Sequence, residues 1–198
     1  MSQTQKKPAK DWQSFIKGYS ETASRTVFSL ANNSELIQSI ALQLVTIIKA
    51  GGRIYSCGNG GSACDSMHLT EELVARYLRE RPGIPAHHLQ DAATLTCWSN
   101  DYDYSGVFER QVATLVTDKD ALIVFSTSGN SKNITKAAIK GKEKGAFTVA
   151  FSGKDGGELK GICDKSLIVE SGVTSHIQEG HIAVVHIICD IMEQELYF

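Results

Sequence analysis

The sequence predicts a single doubly wound α/β domain, a parallel sheet with helices on both faces. Three observations carry this. Five short runs, Arg53 to Cys57, Pro85 to Leu89, Ala121 to Phe125, Phe147 to Phe151 and Ser166 to Val169, are apolar on consecutive positions. Strands covered on both faces read this way, whereas half-exposed strands alternate. Helical stretches separate the runs, around residues 63 to 79, 104 to 116, 131 to 144 and 176 to 196, the alternation that builds parallel sheets. Turns rich in glycine or hydroxyl groups follow the first and third runs, and in such sheets ligands bind at the carboxyl edge of the strands.

Taken in order, residues 1–8 lack apolar periodicity and end in Pro8. They are expected to form a flexible arm ahead of a domain spanning 9–198. From Asp11 to Leu30, Trp12, Phe15, Ile16, Tyr19, Ala23, Val27 and Leu30 recur at helical spacing. A second helix starts at Ser34, whose hydroxyl can cap it, and stops at Gly51-Gly52. Two opening helices without strands suggest a packing or oligomerisation layer.

Composition excludes several classes. The chain has 198 residues, enough for one core and too few for two full domains. Its 20 Lys+Arg against 22 Asp+Glu leave no basic field to attract nucleic acid or an anionic membrane. No apolar run approaches the roughly 20 residues of a membrane span, and the polar start has no signal core, so a cytoplasmic address is expected. Cys57, Cys64, Cys97, Cys163 and Cys189 form an odd set without a C-x-x-C pair and read as reduced, mostly buried thiols.

The first turn, Cys57-Gly58-Asn59-Gly60-Gly61-Ser62, leads from a strand straight into a helix. Its glycines permit positive φ and close approach of a ligand to the backbone, yet it is neither a Walker A loop nor a G-x-G-x-x-G fingerprint. Alone, it reads equally well as a tight turn. The second, Ser126-Thr127-Ser128-Gly129-Asn130-Ser131, puts four hydroxyls ahead of a helix whose inner face carries Ile134, Ala137, Ala138 and Gly141. Hydroxyls and free helix-start N–H groups can hold a phosphate without a lysine. With both loops at one sheet edge, a phosphorylated small molecule is the expected ligand.

The ionisable residues gather nearby. His68 and Glu72 lie four apart on the helix after the first loop, so they share a face about 6 Å apart along the axis. In the last helix Gln178, His181 and His186 interrupt the apolar series Ile177, Ile182, Val185, Ile188, Ile191 and Met192. An imidazole there needs a hydrogen-bond partner or a metal, and spacing leaves His181 open between the two.

Together with Glu71-Glu72-Leu73, Asn100-Asp101, Gly153-Lys154-Asp155-Gly156-Gly157 and Ile177-Gln178-Glu179, these motifs resemble the phosphoheptose isomerases of the sugar isomerase (SIS) family over nearly the whole chain. The resemblance implies a flavodoxin-like SIS domain with a five-stranded sheet, assembled as a homotetramer with sites near subunit interfaces. It implies isomerisation of sedoheptulose 7-phosphate to D-glycero-D-manno-heptose 7-phosphate for bacterial surface polysaccharides, with one Zn2+ per subunit. Position by position, Glu72 matches the base and His186 the acid, and His68, Glu72, Gln178 and His186 match the zinc ligands. Asn59, Gly60, Gly61, Ser62, Glu72, Asn100, Asp101, Ser126, Thr127, Ser128, Ser131 and Gln178 fall on substrate-contacting positions. Gln178 and His186 are eight residues apart, about 12 Å along a regular helix, so Gln178 is expected before the helix or in a distorted first turn. The chain departs from the family pattern at Ser175 and His176, where Asp and Arg are common.

Two rivals remain. One is a non-catalytic SIS protein that regulates replication initiation by binding the initiator; it lacks the acid and imidazole pair that Glu72 and His186 supply here. The other is a SIS isomerase or lyase acting on hexosamine or acetylmuramic acid phosphates, against which the set His68, Glu72, Gln178 and His186 argues.

Overall fold

The structure is a computed structural model that describes residues 11–198; the arm expected at 1–8 lies outside the described residues. Helix α1 (Trp12–Ser29) starts where the Asp11 carboxylate accepts from the Ser14 N–H, leaving one fewer orphan donor. A 3-10 turn (Leu30–Asn33) leads into α2 (Ser34–Lys49). Strand β1 (Ile54–Gly58) and α3 (Gly61–Val74) follow, then β2 (Ala86–His88) and α4 (Ala92–Asp101). A 3-10 turn (Tyr104–Gly106) precedes α5 (Val107–Leu115). The remainder is β3 (Ala121–Ser126), α6 (Lys132–Glu143), β4 (Phe147–Gly153), α7 (Leu159–Ile162), β5 (Lys165–Val169) and α8 (Thr174–Tyr197).

The strands form one five-stranded sheet in the order β2-β1-β3-β4-β5. Every pairing is parallel, with Ile54 opposite Ala121, Ala121 opposite Phe147 and Val149 opposite Lys165. Alternate strand residues feed two cores. Ile54, Ile123, Phe125, Val149, Phe151 and Leu167 pack under α2, α3 and α8. Tyr55, Cys57, Leu122, Val124 and Ala150 pack under α5, α6 and α7. Burial on both faces is why β1, β3 and β4 carry largely apolar runs, while the edge strands β2 and β5 are only partly buried. Phe125 and Phe151 are fully buried, each contributing about 1.5–3 kcal/mol by leaving water. The chain goes from β1 to β2 on one side and crosses to β3 on the other, so the strand order reverses between β1 and β3, and the loops after those strands flank a switch point.

Four expectations need correction. Ser34 is the first residue of α2 rather than its cap, and Asn33 at the N-cap position makes no side-chain bond to the helix. Helix α3 ends at Val74 rather than near 79, because residues 75–83 form a loop whose Arg81 donates to the Glu72 and Leu73 carbonyls at the helix end. Helix α4 has no counterpart among the expected helices, and it has no buried residue. Its apolar spacing was therefore too sparse to announce it. The thiols are free, but Cys64 and Cys97 are exposed rather than buried. Along α1, Trp12, Phe15 and Ile16 stay 58–61% exposed and Phe28 82%. Among the described residues no helix is long and apolar enough to cross a membrane.

Candidate functional site

The two loops meet at the switch point. After β1, Gly60 adopts φ 56° at the start of α3, the left-handed region that glycine tolerates. Asn59 and Asn133 exchange side-chain amide hydrogen bonds of 2.9 and 2.8 Å, and the Tyr104 hydroxyl donates to Asn59 Oδ1 at 2.8 Å. The amide pair ties the first loop to α6, which follows the second. Ser62 is buried in the first turn of α3, its N–H donating to the Asn59 carbonyl.

In the second loop, Ser126 Oγ donates to Ser131 Oγ at 3.2 Å, and Ser131 makes no side-chain cap to α6. The Ile134 N–H already donates to the Ser131 carbonyl at 2.9 Å, so the N–H groups of Lys132 and Asn133 are the ones left for an anion. Thr127 and Ser128 are half-buried beside it. Gly129, at φ +67°, lies so close to the next loop that a Cβ there would sit 2.0 Å from the Gly156 carbonyl oxygen. Leu159 N–H donates to the Gly129 carbonyl at 3.1 Å and Glu158 N–H to Asn130 Oδ1 at 3.0 Å. The Gly153–Gly157 segment, quoted above only for its resemblance, thus backs the hydroxyl loop.

Beyond the loops, α3 and α8 bring three side chains together. His68 Nε2 is 3.1 Å from Glu72 Oε1, His186 Nε2 is 3.9 Å from the same oxygen, and the two Nε2 atoms are 3.5 Å apart. Glu72 is mostly buried, while the imidazoles are about one-third exposed or a little more, at 40% and 36%. The ligand atoms lie within 4.8 Å of one another. One proton can satisfy one of these contacts; a cation accepts all three lone pairs, and a nitrogen and oxygen donor set suits a divalent ion such as zinc. Tyr77 stacks on the His186 ring at 5.5 Å and 15°. Burial and the neighbouring Asp190 and Glu72 carboxylates push its phenol up, so it stays protonated.

Gln178 lies within the regular part of α8, which starts at Thr174, and not ahead of it as expected; Val173 in extended conformation supplies the N-cap, so the helix needs no distorted turn. Its amide faces the first loop: a Cβ on Gly61 would lie 2.3 Å from Gln178 Nε2. Gln178, His68, Asp65, Cys64 and Ser175 line a hollow of ≈ 340 Å³ between α3 and the start of α8. Asn100 and Asp101 are exposed at the end of α4 and bond to each other at 2.9 Å; within this chain they are not gathered to the loops. Instead Tyr104 and Ser105 reach in, Ser105 Oγ accepting from Lys136 at 2.7 Å. Neither was singled out, since Tyr104 sits in a helix-like pattern that hides its hydroxyl's role.

His181 is a core histidine. It is fully buried, Nε2 donates to the Ser152 carbonyl at 3.0 Å, and the ring packs against both Phe125 and Phe151. His176 is buried with Nδ1 2.7 Å from Glu179 Oε2, and Glu179 also accepts from the Tyr19 hydroxyl at 2.7 Å. This departure from the family pattern therefore ties α1 to α8.

Known proteins resemble the chain throughout. The SIS domain family pattern matches residues 18–153. The phosphoheptose isomerase of Clostridium acetobutylicum is 48% identical over 164 residues, covering 82% of this chain and 84% of that one. That of Proteus mirabilis is 42% identical over 189 residues, covering 93% and 98%. The solved structure of a phosphoheptose isomerase from Francisella tularensis superposes with a TM-score of 0.90 at 34% identity, covering 93% of this chain and all of the other.

Proposed function

We propose, given that this chain belongs to the phosphoheptose isomerases of the SIS domain family, that it interconverts sedoheptulose 7-phosphate and D-glycero-D-manno-heptose 7-phosphate for bacterial surface polysaccharides. The observation that carries the mechanism is the convergence of Glu72 with His68 and His186 beside two loops at the switch point. The phosphate goes to Ser126, Thr127, Ser128 and Ser131 with the start of α6, where hydroxyls and N–H groups replace lysine. The sugar hydroxyls go to Asn59, Gly60, Gly61, Ser62 and Gln178. Asn100 and Asp101 lie on an exposed helix end and are assigned to sugar contacts across a subunit boundary.

Ketose-to-aldose isomerisation moves a proton between adjacent carbons through an enediol. Glu72 takes the proton from C1 and returns it at C2, while His186 serves as the acid that passes a proton between the two sugar oxygens. All the short contacts of Glu72 within the group involve Oε1, so Oε2 is assigned to the carbon-bound proton. His68, Glu72 and His186 would hold one Zn2+; Gln178, two turns before His186 on the same regular helix, is assigned to the sugar rather than to the ion. A bound divalent ion supplies Lewis-acid stabilisation of the developing negative charge.

We further assign residues 9–198 to one cytoplasmic domain and the exposed apolar stripe of α1 to a homotetramer contact. A monomer in light scattering would contradict the assembly. For the activity, Glu72→Gln should lower turnover roughly 10²–10⁴-fold with the fold retained. Full turnover in that variant would refute the base, and a preference for hexosamine or pentose phosphates would refute the substrate.

A further inference from the structure

The loop between α3 and β2 has no regular structure, yet it is fastened firmly. Glu193, in the last turns of α8, is fully buried. Its carboxylate accepts from the backbone N–H groups of Tyr77, Leu78 and Arg79 at 2.9, 3.2 and 3.1 Å and from Arg81 Nε at 3.0 Å. The Arg81 side chain is equally buried, and its remaining nitrogens reach the end of α3. Nη2 donates to the Glu72 carbonyl and Nη1 to the Leu73 carbonyl, each at 2.7 Å. The guanidinium thus bridges α8 and the last turn of α3. Only a planar fork with several donors can do this, and lysine has one nitrogen to spend.

The bridge reaches both halves of the site. Glu72 and His186 stand on different helices, so the 3.9 Å between them depends on how α3 and α8 are held. Arg81 holds Glu72 by its own carbonyl. Glu193, which lies seven residues beyond His186 and so on the same face of α8, folds the loop that lays Tyr77 against the His186 ring. We propose that Glu193, Arg81 and Tyr77 form a positioning unit that fixes the Glu72 carboxylate and the His186 imidazole relative to one another. These residues touch neither substrate nor ion; they act through Glu72 and His186, and the inference rests on the roles given to that pair above.

A loop fastener with no further role would change stability alone. Tyr77 is the deciding position because it stands outside the buried ion pair and its removal leaves the Glu193 and Arg81 contacts intact. In Tyr77→Leu, kcat is expected to fall about tenfold or more with KM within about twofold, and zinc affinity, from competition with a chromophoric chelator, to weaken by about 10–100-fold. Tyr77→Phe keeps the ring and should restore both. Arg81→Lys, which keeps the charge but not the two-carbonyl fork, should lower kcat in the same direction. Folded Tyr77→Leu with native kcat and native zinc affinity would overturn the proposal. A native chain that binds no zinc would contradict the ion assignment instead, and the kcat of Tyr77→Leu would then decide the positioning role alone. Should Glu72→Gln prove fully active, the base assignment falls and zinc affinity decides it.

Discussion

A methyl group added at Gly61 and one added at Gly129 meet nearly the same overlap, yet the consequences should differ. At Gly129 the new Cβ would lie 2.0 Å from the Gly156 carbonyl oxygen, and φ is +67°. The left-handed conformation costs an L-residue about 1–2 kcal/mol. Forcing packed backbone apart adds about 1–3 kcal/mol, for a loss of roughly 2–5 kcal/mol. At about 2–4 °C per kcal/mol for a chain of this size, Gly129→Ala should lower Tm by roughly 4–20 °C and displace the hydroxyl loop. At Gly61 the obstacle is the end of the Gln178 side chain, 2.3 Å away, which can swing at about 0.5–1.5 kcal/mol if left off-rotamer. Alanine in place of glycine at the first residue of α3 returns up to about 1 kcal/mol. The two offset, so Gly61→Ala should stay within about 1 kcal/mol of native while losing substrate affinity. Thermal unfolding followed by circular dichroism, paired with kcat and KM on sedoheptulose 7-phosphate, checks both. Equal stability losses would refute the backbone argument. Native KM and kcat in Gly61→Ala would refute the role given to Gln178.

Two further outcomes are expected. Burial pushes the Glu193 carboxyl up, but the N–H groups of Tyr77, Arg79 and Leu78 and the Arg81 guanidinium outweigh it and hold it below the usual glutamate value. Its stabilisation is therefore complete above the range where an unfolded glutamate titrates, about pH 4.3, and is lost as pH falls through the lower folded value. Urea unfolding should show a gap between native and Glu193→Gln that is constant at neutral pH and shrinks below about pH 4; a gap that grows on acidification would contradict this. Elemental analysis of chelator-free protein should give about one zinc per subunit, lost in His68→Ala while the fold persists; native zinc content in that variant would remove His68 from the ligand set.

The central strands β1, β3 and β4 were legible because they are buried on both faces, so Ala121 to Phe125 announced itself without reference to anything distant. The glycine and hydroxyl loops were legible for a related reason, since local backbone demands at Gly60 and Gly129 leave a local mark. Long-range contacts left none. Arg81 and Glu193 stand 112 positions apart, and nothing near either shows that one caps α3 and the other folds the loop carrying Tyr77. The end of α3 was therefore placed too late. Helix α4 did carry a hint, since the Asp91 carboxylate accepts from the Thr94 N–H at 2.7 Å, but with no buried face its periodicity was faint. His181 could not be resolved from spacing, because its partner, the Ser152 carbonyl, is a main-chain atom of a distant strand.

The proton shuttled by Glu72 is most directly followed by proton NMR of sedoheptulose 7-phosphate turned over in D2O. The native chain is expected to yield the aldoheptose phosphate with deuterium at C2, because the Glu72 carboxylate keeps 13% exposure and can exchange the proton taken from C1 with solvent during the lifetime of the enediol. Turnover without any deuterium at C2 would contradict an exchanging carboxylate base, and no turnover of this sugar would contradict the proposed activity itself.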